Sequence, residues 1–347
     1  MTTIARRITG GVDTHLDVHV AAALDERGAQ LGVESFAATA AGYQELLDWL
    51  EGFGTVELIG VEGTGSYGAG LTRHLLSHQI AVVEIDRPNR QRRRRTGKSD
   101  PHDAVAAARA AQGGDATGSA KTRDGNVEAM RVLRVARRSA RGNRTQALNQ
   151  MRSLISTAPE ELRAELRGLS IYKVLTVASA YRHTGRTDVT TVTKLTLRTL
   201  ARRALSLEEE VKEIDRLLKT LVVETAPELN AIDGVGTDVA SAILVAAGDN
   251  PERLKSESTF AKLCGVSPLD ASSGKQQRHR LNRSGDRQAN SALWHIVFTR
   301  MVNDPRTKHY IERRMKDGRS KKEAIRCLQA LRRSGGVRST PTVTIRS

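Results

Sequence analysis

Cysteine is scarce in this chain: Cys264 and Cys327 stand far apart, without a CxxC pair. That spacing indicates neither a disulfide framework nor a cysteine zinc cluster, and a reducing cytoplasm is the expected compartment. Aromatic residues make up 3% of the sequence, too few for the stacking platforms of single-strand binders. No apolar run approaches the ~20 residues of a membrane-spanning helix. The opening MTTIARRITGG lacks the apolar stretch of a secretory signal. Acid is short as well. Asp and Glu number 39 against 55 Lys and Arg, a net charge of +16 over 347 residues. Such an excess describes a partner rather than a fold, and nucleic acid is the commonest polyanion for a basic protein. With few aromatics, contact through phosphates is expected, and no membrane association. The length suits two or three domains.

What is present contains a contradiction. Arg90, Arg92, Arg93, Arg94, Arg95 and Lys98 form a cluster suited to any polyanion, yet Asp100 and Asp103 follow at once in KSDPHDAVAAARAA. The surrounding pattern bears on this. ITGGVDTH, LDVHVAAAL and AQLGVESFAA read as three strands, and AAGYQELLDWLEGFG has apolar residues at helical spacing. TVELIGVEGT, AGLTRHLLSHQ and IAVVEI add a strand, a helix and a strand. Three strands, a helix, then strand, helix, strand and helix is the order of an RNase H-like α/β domain. A dinucleotide fold would alternate from the start, and GTGSYG (Gly63 to Gly68) misses the GxGxxG spacing.

Beyond this domain the chain reads as mainly helical. Arg131, Arg134, Arg137, Arg138, Arg141 and Arg144 punctuate one helix with few acids beside them, which predicts a surface that tracks phosphates. Leu207, Val211, Ile214, Leu218 and Leu221 form a short heptad seam, suited equally to packing within the chain and to self-association. In LNAIDGVGTDVASAILVAAGD, a turn on Gly234 and Gly236 between two helices has the look of a helix-hairpin-helix grip on phosphate. A basic loop follows, with Lys275, Arg278, Arg280 and Arg283.

In an RNase H-like sheet, Asp13 closes the first strand and Glu62 closes the adjacent fourth. Asp100 and Asp103 share one face of a helix start. Two carboxylates ~4 Å apart repel by ~4 kcal/mol at an effective dielectric near 20, so four of them imply a cation. Mg²⁺ suits carboxylates together with phosphate oxygens, and Mn²⁺ can replace it. The arginines would then hold the nucleic-acid backbone and the acids the metal. Blander readings exist for each acid. Asp100 as N-cap, Pro101 as first helical residue and Asp103 as its partner would make a capping box. Asp13 could be a turn residue, with Asp17 a competing acid, and Glu62 a strand-end acid.

These residues resemble the DEDD transposases of insertion sequences, which carry an N-terminal RuvC-like domain. GVDTHLDVHV, GVEGTGSY, KSDPHDAVAAARAA, IDGVGTDVASAILVAAGD and FAKLCGVSPLDASSGKQQRHRLNRSGDRQANSALW carry the likeness in family order. The resemblance implies Asp13, Glu62, Asp100 and Asp103 as a metal-binding acidic tetrad. It also implies a nucleophilic serine in a C-terminal transposase domain, assembly as dimers and tetramers, and action on donor and target DNA in the cytoplasm, at the bacterial nucleoid. Better-studied members use a structured bridge RNA as guide. The serine follows Gly265-Val266-Ser267-Pro268 by a few residues, which favours Ser273 over Ser272, with His279 nearby. The expected domains are 1–115 (RuvC-like), 116–228 (basic helical and coiled-coil), 229–334 (transposase) and a structureless tail, 335–347. That tail, GGVRSTPTVTIRS, departs from the family, whose last helix continues for several turns. A metal-dependent nuclease of the junction-resolvase type, without a covalent step, is the second reading; a non-catalytic nucleic-acid-binding protein is the third.

Overall fold

The alternation at the start of the chain folds into a mixed sheet. A computed structural model describes residues 6–85, 99–114, 118–182, 185–254, 256–267, 269–270, 279–280, 282 and 284–330. Its residues fall into two units, one made of the chain up to Glu128 with Ala247–Lys262, the other of Ala129–Ala246 with Leu263 onward.

In the first unit the elements are β1 (Arg7–Thr14), β2 (Val18–Leu24), β3 (Gln30–Ala37), α1 (Ala40–Glu51), β4 (Thr55–Glu62), α2 (Ala69–Ser77), β5 (Ala81–Ile85) and α3 (Asp100–Gln112). The five strands lie in the order β3-β2-β1-β4-β5. β1, β2 and β3 are antiparallel neighbours, and β4 and β5 run parallel to β1. This is the RNase H-like arrangement that the element order predicts. Central β1 is buried on both faces, as expected of a strand covered by helices. On one face, Leu46, Leu47 and Leu50 of α1 with Leu71 and Leu75 of α2 pack on Ile8, Val12, Ile59 and Val61. Each such leucine contributes about 1.5–3 kcal/mol by its burial.

The other face carries α3, whose buried side is almost all alanine. Ala104 and Val105 pack on Val20 and Ala22, and Ala107 and Ala111 on Ile85. Close approach here needs glycine. A Cβ on Gly11 would lie 2.1 Å from Ala108 N, and one on Gly60 2.8 Å from Ala107 O. These glycines are register partners in β1 and β4, so α3 rests directly on the two strands that end in Asp13 and Glu62.

Residues 247–262 return to this unit. Asp249 Oδ1 accepts from Val127 N at 2.8 Å and Oδ2 from Glu128 N at 3.1 Å, which caps the start of α4 (Asn126–Ser156). Asn250 Nδ2 donates to Ala120 O at 2.8 Å.

The second unit is helical. After α4 come α5 (Glu160–Leu166), α6 (Ile171–Ser179), α7 (Val189–Thr225), α8 (Pro227–Asn230), α9 (Thr237–Ala247) and α10 (Glu257–Leu263). A two-stranded pair, β6 (Leu269–Asp270) with β7 (His279–Arg280), precedes α11 (Arg287–Asn303), α12 (Pro305–Lys316) and α13 (Lys321–Ala330). Helices α4 and α7 run antiparallel, with Arg137 against Asp215 and Arg144 against Glu208 as successive rungs. Ala147, Leu148 and Met151 meet Leu197, Leu200, Ala201 and Ala204 further along. The heptad seam lies on this side of α7: Ile214 and Leu218 are buried, and Leu207, Val211 and Leu221 half-buried. Val297, Ile311, Ala324 and Ile325 form the core of α11–α13. The tail 335–347 lies outside the described residues.

Candidate carboxylate site and nucleic-acid surfaces

The sheet delivers two acids to one edge. Asp13 is 6% exposed near the end of β1, and Glu62 is the last residue of β4, beyond the Val12–Val61 register pair. Thr14 Oγ1 donates to the Glu62 carbonyl at 2.7 Å, tying the two strand ends together. Helix α3 brings Asp100 and Asp103 to the same place, Asp103 at 7% exposure. The capping box does not form. Ser99 is the N-cap, without a side-chain bond, and Asp100 and Pro101 begin the helix.

Burial raises the Asp13 carboxyl above its ordinary range; His15 pulls it down, and the charges of Asp103 and Asp100 add to the rise. These carboxylates therefore sense one another. His15 Nε2 stands 3.2 Å from Asp13 Oδ2 and 3.5 Å from Asp100 Oδ2, at angles that leave this buried nitrogen without a hydrogen bond. One donor atom each from Asp13, His15 and Asp100 falls within 4.8 Å of the others, a spacing a metal ion can bridge. Asp103 adds its charge to Asp13 from α3, and Glu62 closes the neighbouring strand, outside that grouping. His15 is absent from the sequence reading. Its signal was the offset of two from Asp13 in DTH, which in a strand leaving a sheet edge returns a side chain to the same side.

The donor set fits a divalent cation. Crowded carboxylates, Asp13 and Asp103 among them buried, and an imidazole nitrogen close to two of them are the groups that such an ion relieves.

The arginines of α4 divide. Arg134 Nη1 donates to Asp238 Oδ1 at 2.8 Å and to Ser241 Oγ at 2.6 Å, and its side chain is 11% exposed. Arg137 bonds Asp215 and Asp238, and Arg144 bonds Glu208. These three hold the second unit together. Arg131 is half-buried, whereas Arg138 and Arg141 are exposed. The predicted hairpin turn falls between α8 and α9, with Gly234 at φ 81°. It borders a cleft of about 760 Å³ that Arg141 and His295 also line. Nothing would obstruct a Cβ at Gly236, which faces open space.

Ser272, Ser273, Lys275, Arg278 and Arg283 lie outside the described residues, as do Arg90, Arg92, Arg93, Arg94, Arg95 and Lys98; of His279 and Arg280 the backbone alone is described. The stems of the serine loop are held together. Leu269 pairs with Arg280 and Asp270 with His279, and Asp286 N donates to the Leu263 carbonyl at 2.7 Å. Among the described residues no helix is long and apolar enough to cross a membrane.

Two family models match the chain. One, described as a transposase of the DEDD type, covers residues 10–158. The other, described as Transposase IS116/IS110/IS902 family, covers residues 226–312. No curated protein matches the chain.

Proposed function

Because the chain belongs to the IS116/IS110/IS902 family of transposases, enzymes that cleave DNA and transfer its strands, we propose that Asp13, Glu62, Asp100 and Asp103 hold the divalent cation of that reaction and that Ser273 is its nucleophile. The observation that carries this reading is the gathering of buried Asp13 and Asp103 with half-buried Asp100 and His15 at the edge where β1 and β4 end. A DEDD site implies a divalent metal, Mg²⁺ or Mn²⁺, which when bound supplies Lewis acidity at a phosphate oxygen. All four acids would hold it, with His15 adding a nitrogen donor beside Asp13 and Asp100. The Ser273 oxygen forms a new bond to phosphorus as the DNA ester oxygen leaves as a hydroxyl. The phosphoserine keeps the bond energy for rejoining, which hydrolysis would lose.

Donor and target DNA lie along the basic surfaces. In this proposal the stretch Arg90 to Arg95 with Lys98, the exposed Arg138 and Arg141, the Gly234–Gly236 turn and Lys275, Arg278, Arg280 and Arg283 contact phosphates. Arg131 takes part from its half-buried position. Arg134 leaves that set, since its donors already meet Asp238 and Ser241. A bridge RNA supplies the pairing, and dimers joining into tetramers bring the acids and the serine together.

Trapping tests the covalent step. After incubation with nicked suicide DNA, mass spectrometry should find the adduct on Ser273, and Ser273→Ala should give none, while Ser272→Ala keeps it. Efficient cleavage by the double alanine variant would instead establish a water-activating nuclease. Sequencing of RNA that co-purifies with the chain tests the guide; its absence would sink that part.

A further inference from the structure

Arg123 is a largely buried cation that the described residues around it do not satisfy. Its side chain is 15% exposed, and Glu128 Oε2 approaches Nη1 to 3.5 Å, an ion-pair distance without a hydrogen bond. The Nε atom is buried and has no partner, and among the described residues nothing accepts a hydrogen bond from the guanidinium. Arg134 and Arg137, similarly buried, each bond a carboxylate. A guanidinium has five donors and cannot escape the demand by losing its proton. The backbone is unusual too. Arg123 sits at φ 56°, a left-handed conformation that L residues avoid and that persists where the surroundings enforce it.

The position of the side chain says what is missing. A Cβ on Gly65 would lie 2.7 Å from Arg123 Nη2, so the guanidinium rests over an exposed glycine with no side chain to cover it. Gly65 belongs to the turn that leaves Glu62, closed by Ser66 N and Gly68 N on the Gly63 carbonyl. That turn packs against Thr14, since a Cβ on Gly63 would lie 3.2 Å from Thr14 Oγ1 and one on Gly68 3.1 Å from Thr14 Cγ2. Thr14 stands between Asp13 and His15. The charges acting most on Asp13 are His15, Asp103 and Asp100. Arg123 is not among the charges that act on Asp13; it rests on the glycine turn that follows Glu62.

We propose that Arg123, seated on Gly65, binds a backbone phosphate of the DNA strand next to the phosphate that reaches the carboxylates. A planar guanidinium edge matches two phosphate oxygens, and a bare glycine lets the sugar-phosphate chain approach. This deepens the DNA-cleaving reading of the carboxylate site and rests on it.

Binding to DNA, rather than cutting, tests the contact, so that a failure of the cleavage reading stays separate. In full-length Asp13→Asn protein without divalent metal, adding Arg123→Ala should weaken duplex DNA binding about tenfold. The slope of log affinity against log salt should fall by about 0.9, one phosphate. Gly65→Ala should do the same in wild-type Arg123 and nothing further beside Arg123→Ala, because the new methyl displaces only the flexible end of the arginine. Glu128→Gln should leave the slope unchanged. Single methylphosphonates stepped along the strand should show one position near the cut whose neutralisation weakens the Arg123 protein and leaves Arg123→Ala indifferent. An unchanged slope, additive effects of the Gly65 and Arg123 variants, or no such position overturns the proposal. So does a slope change seen on RNA duplex and not on DNA.

Discussion

In the first unit like charges meet: Asp100 and Asp103 stand near enough to act on Asp13, and burial adds to the cost of its charge. In the second, opposite charges meet: Arg134 and Arg137 share Asp238, and Asp215 and Glu208 take the rungs of the α4–α7 pair. The second pattern stabilises the fold by itself. The first opposes it and persists because α3 is pressed onto Gly11 and Gly60. Charge density in a sequence is thus a poor guide to function until partners are known. A basic helix that reads as a phosphate surface turns Arg134, Arg137 and Arg144 inward, whereas acids scattered through the sequence gather at one edge of the sheet.

The largest effect should come from relieving the gathered acids. Asp13→Asn is expected to remove strand cleavage to background and to raise Tm by about 2 °C in metal-free protein, since a buried charge and its repulsion both go. A lower Tm measured by calorimetry would mean that the acids support the fold and the contrast fails.

Gly11→Ala attacks the contact that enforces the gathering. The new methyl would meet backbone atoms of α3 that cannot move separately. A loss of about 3 kcal/mol in denaturant unfolding is expected, with cleavage lost alongside; near-normal stability would show that α3 is held by other means. In the second unit, Asp238→Ala deprives buried Arg134 of its carboxylate and should cost about 1–3 kcal/mol. DNA affinity per folded molecule should stay unchanged in filter binding. The smallest effect on stability belongs to Arg138→Ala and Arg141→Ala, within about 0.5 kcal/mol. Each should nonetheless lower the salt slope of DNA binding by about 0.9, and a flat response would remove α4 from the binding surface.

The sheet was legible because its strands have alternating or continuous apolar runs broken by Gly and Asp turns, and Asp13 and Glu62 close two of them. That β1 and β4 are neighbours followed from the order of elements rather than from any residue. His15 escaped because one histidine beside an acid has many ordinary explanations; only the register of the β1–β2 turn brings it to Asp100. Arg134 reads as a phosphate contact because its partners in the fold, Asp238 and Ser241, lie over a hundred residues away. The return of residues 247–262 to the first unit was equally hidden, since neither composition nor charge changes there.

That return has a consequence in time. Asp249 bonds Val127 and Glu128 across separations of 122 and 121 residues. On a ribosome adding 5–20 residues per second, the segment that caps α4 emerges on the order of ten seconds after the strands of the sheet. Through that interval the first unit has its five strands but not its final piece, and its slowest contact is the one closed last. A nascent chain therefore completes the unit that bears the carboxylates only after α4, α7 and α9 have been made.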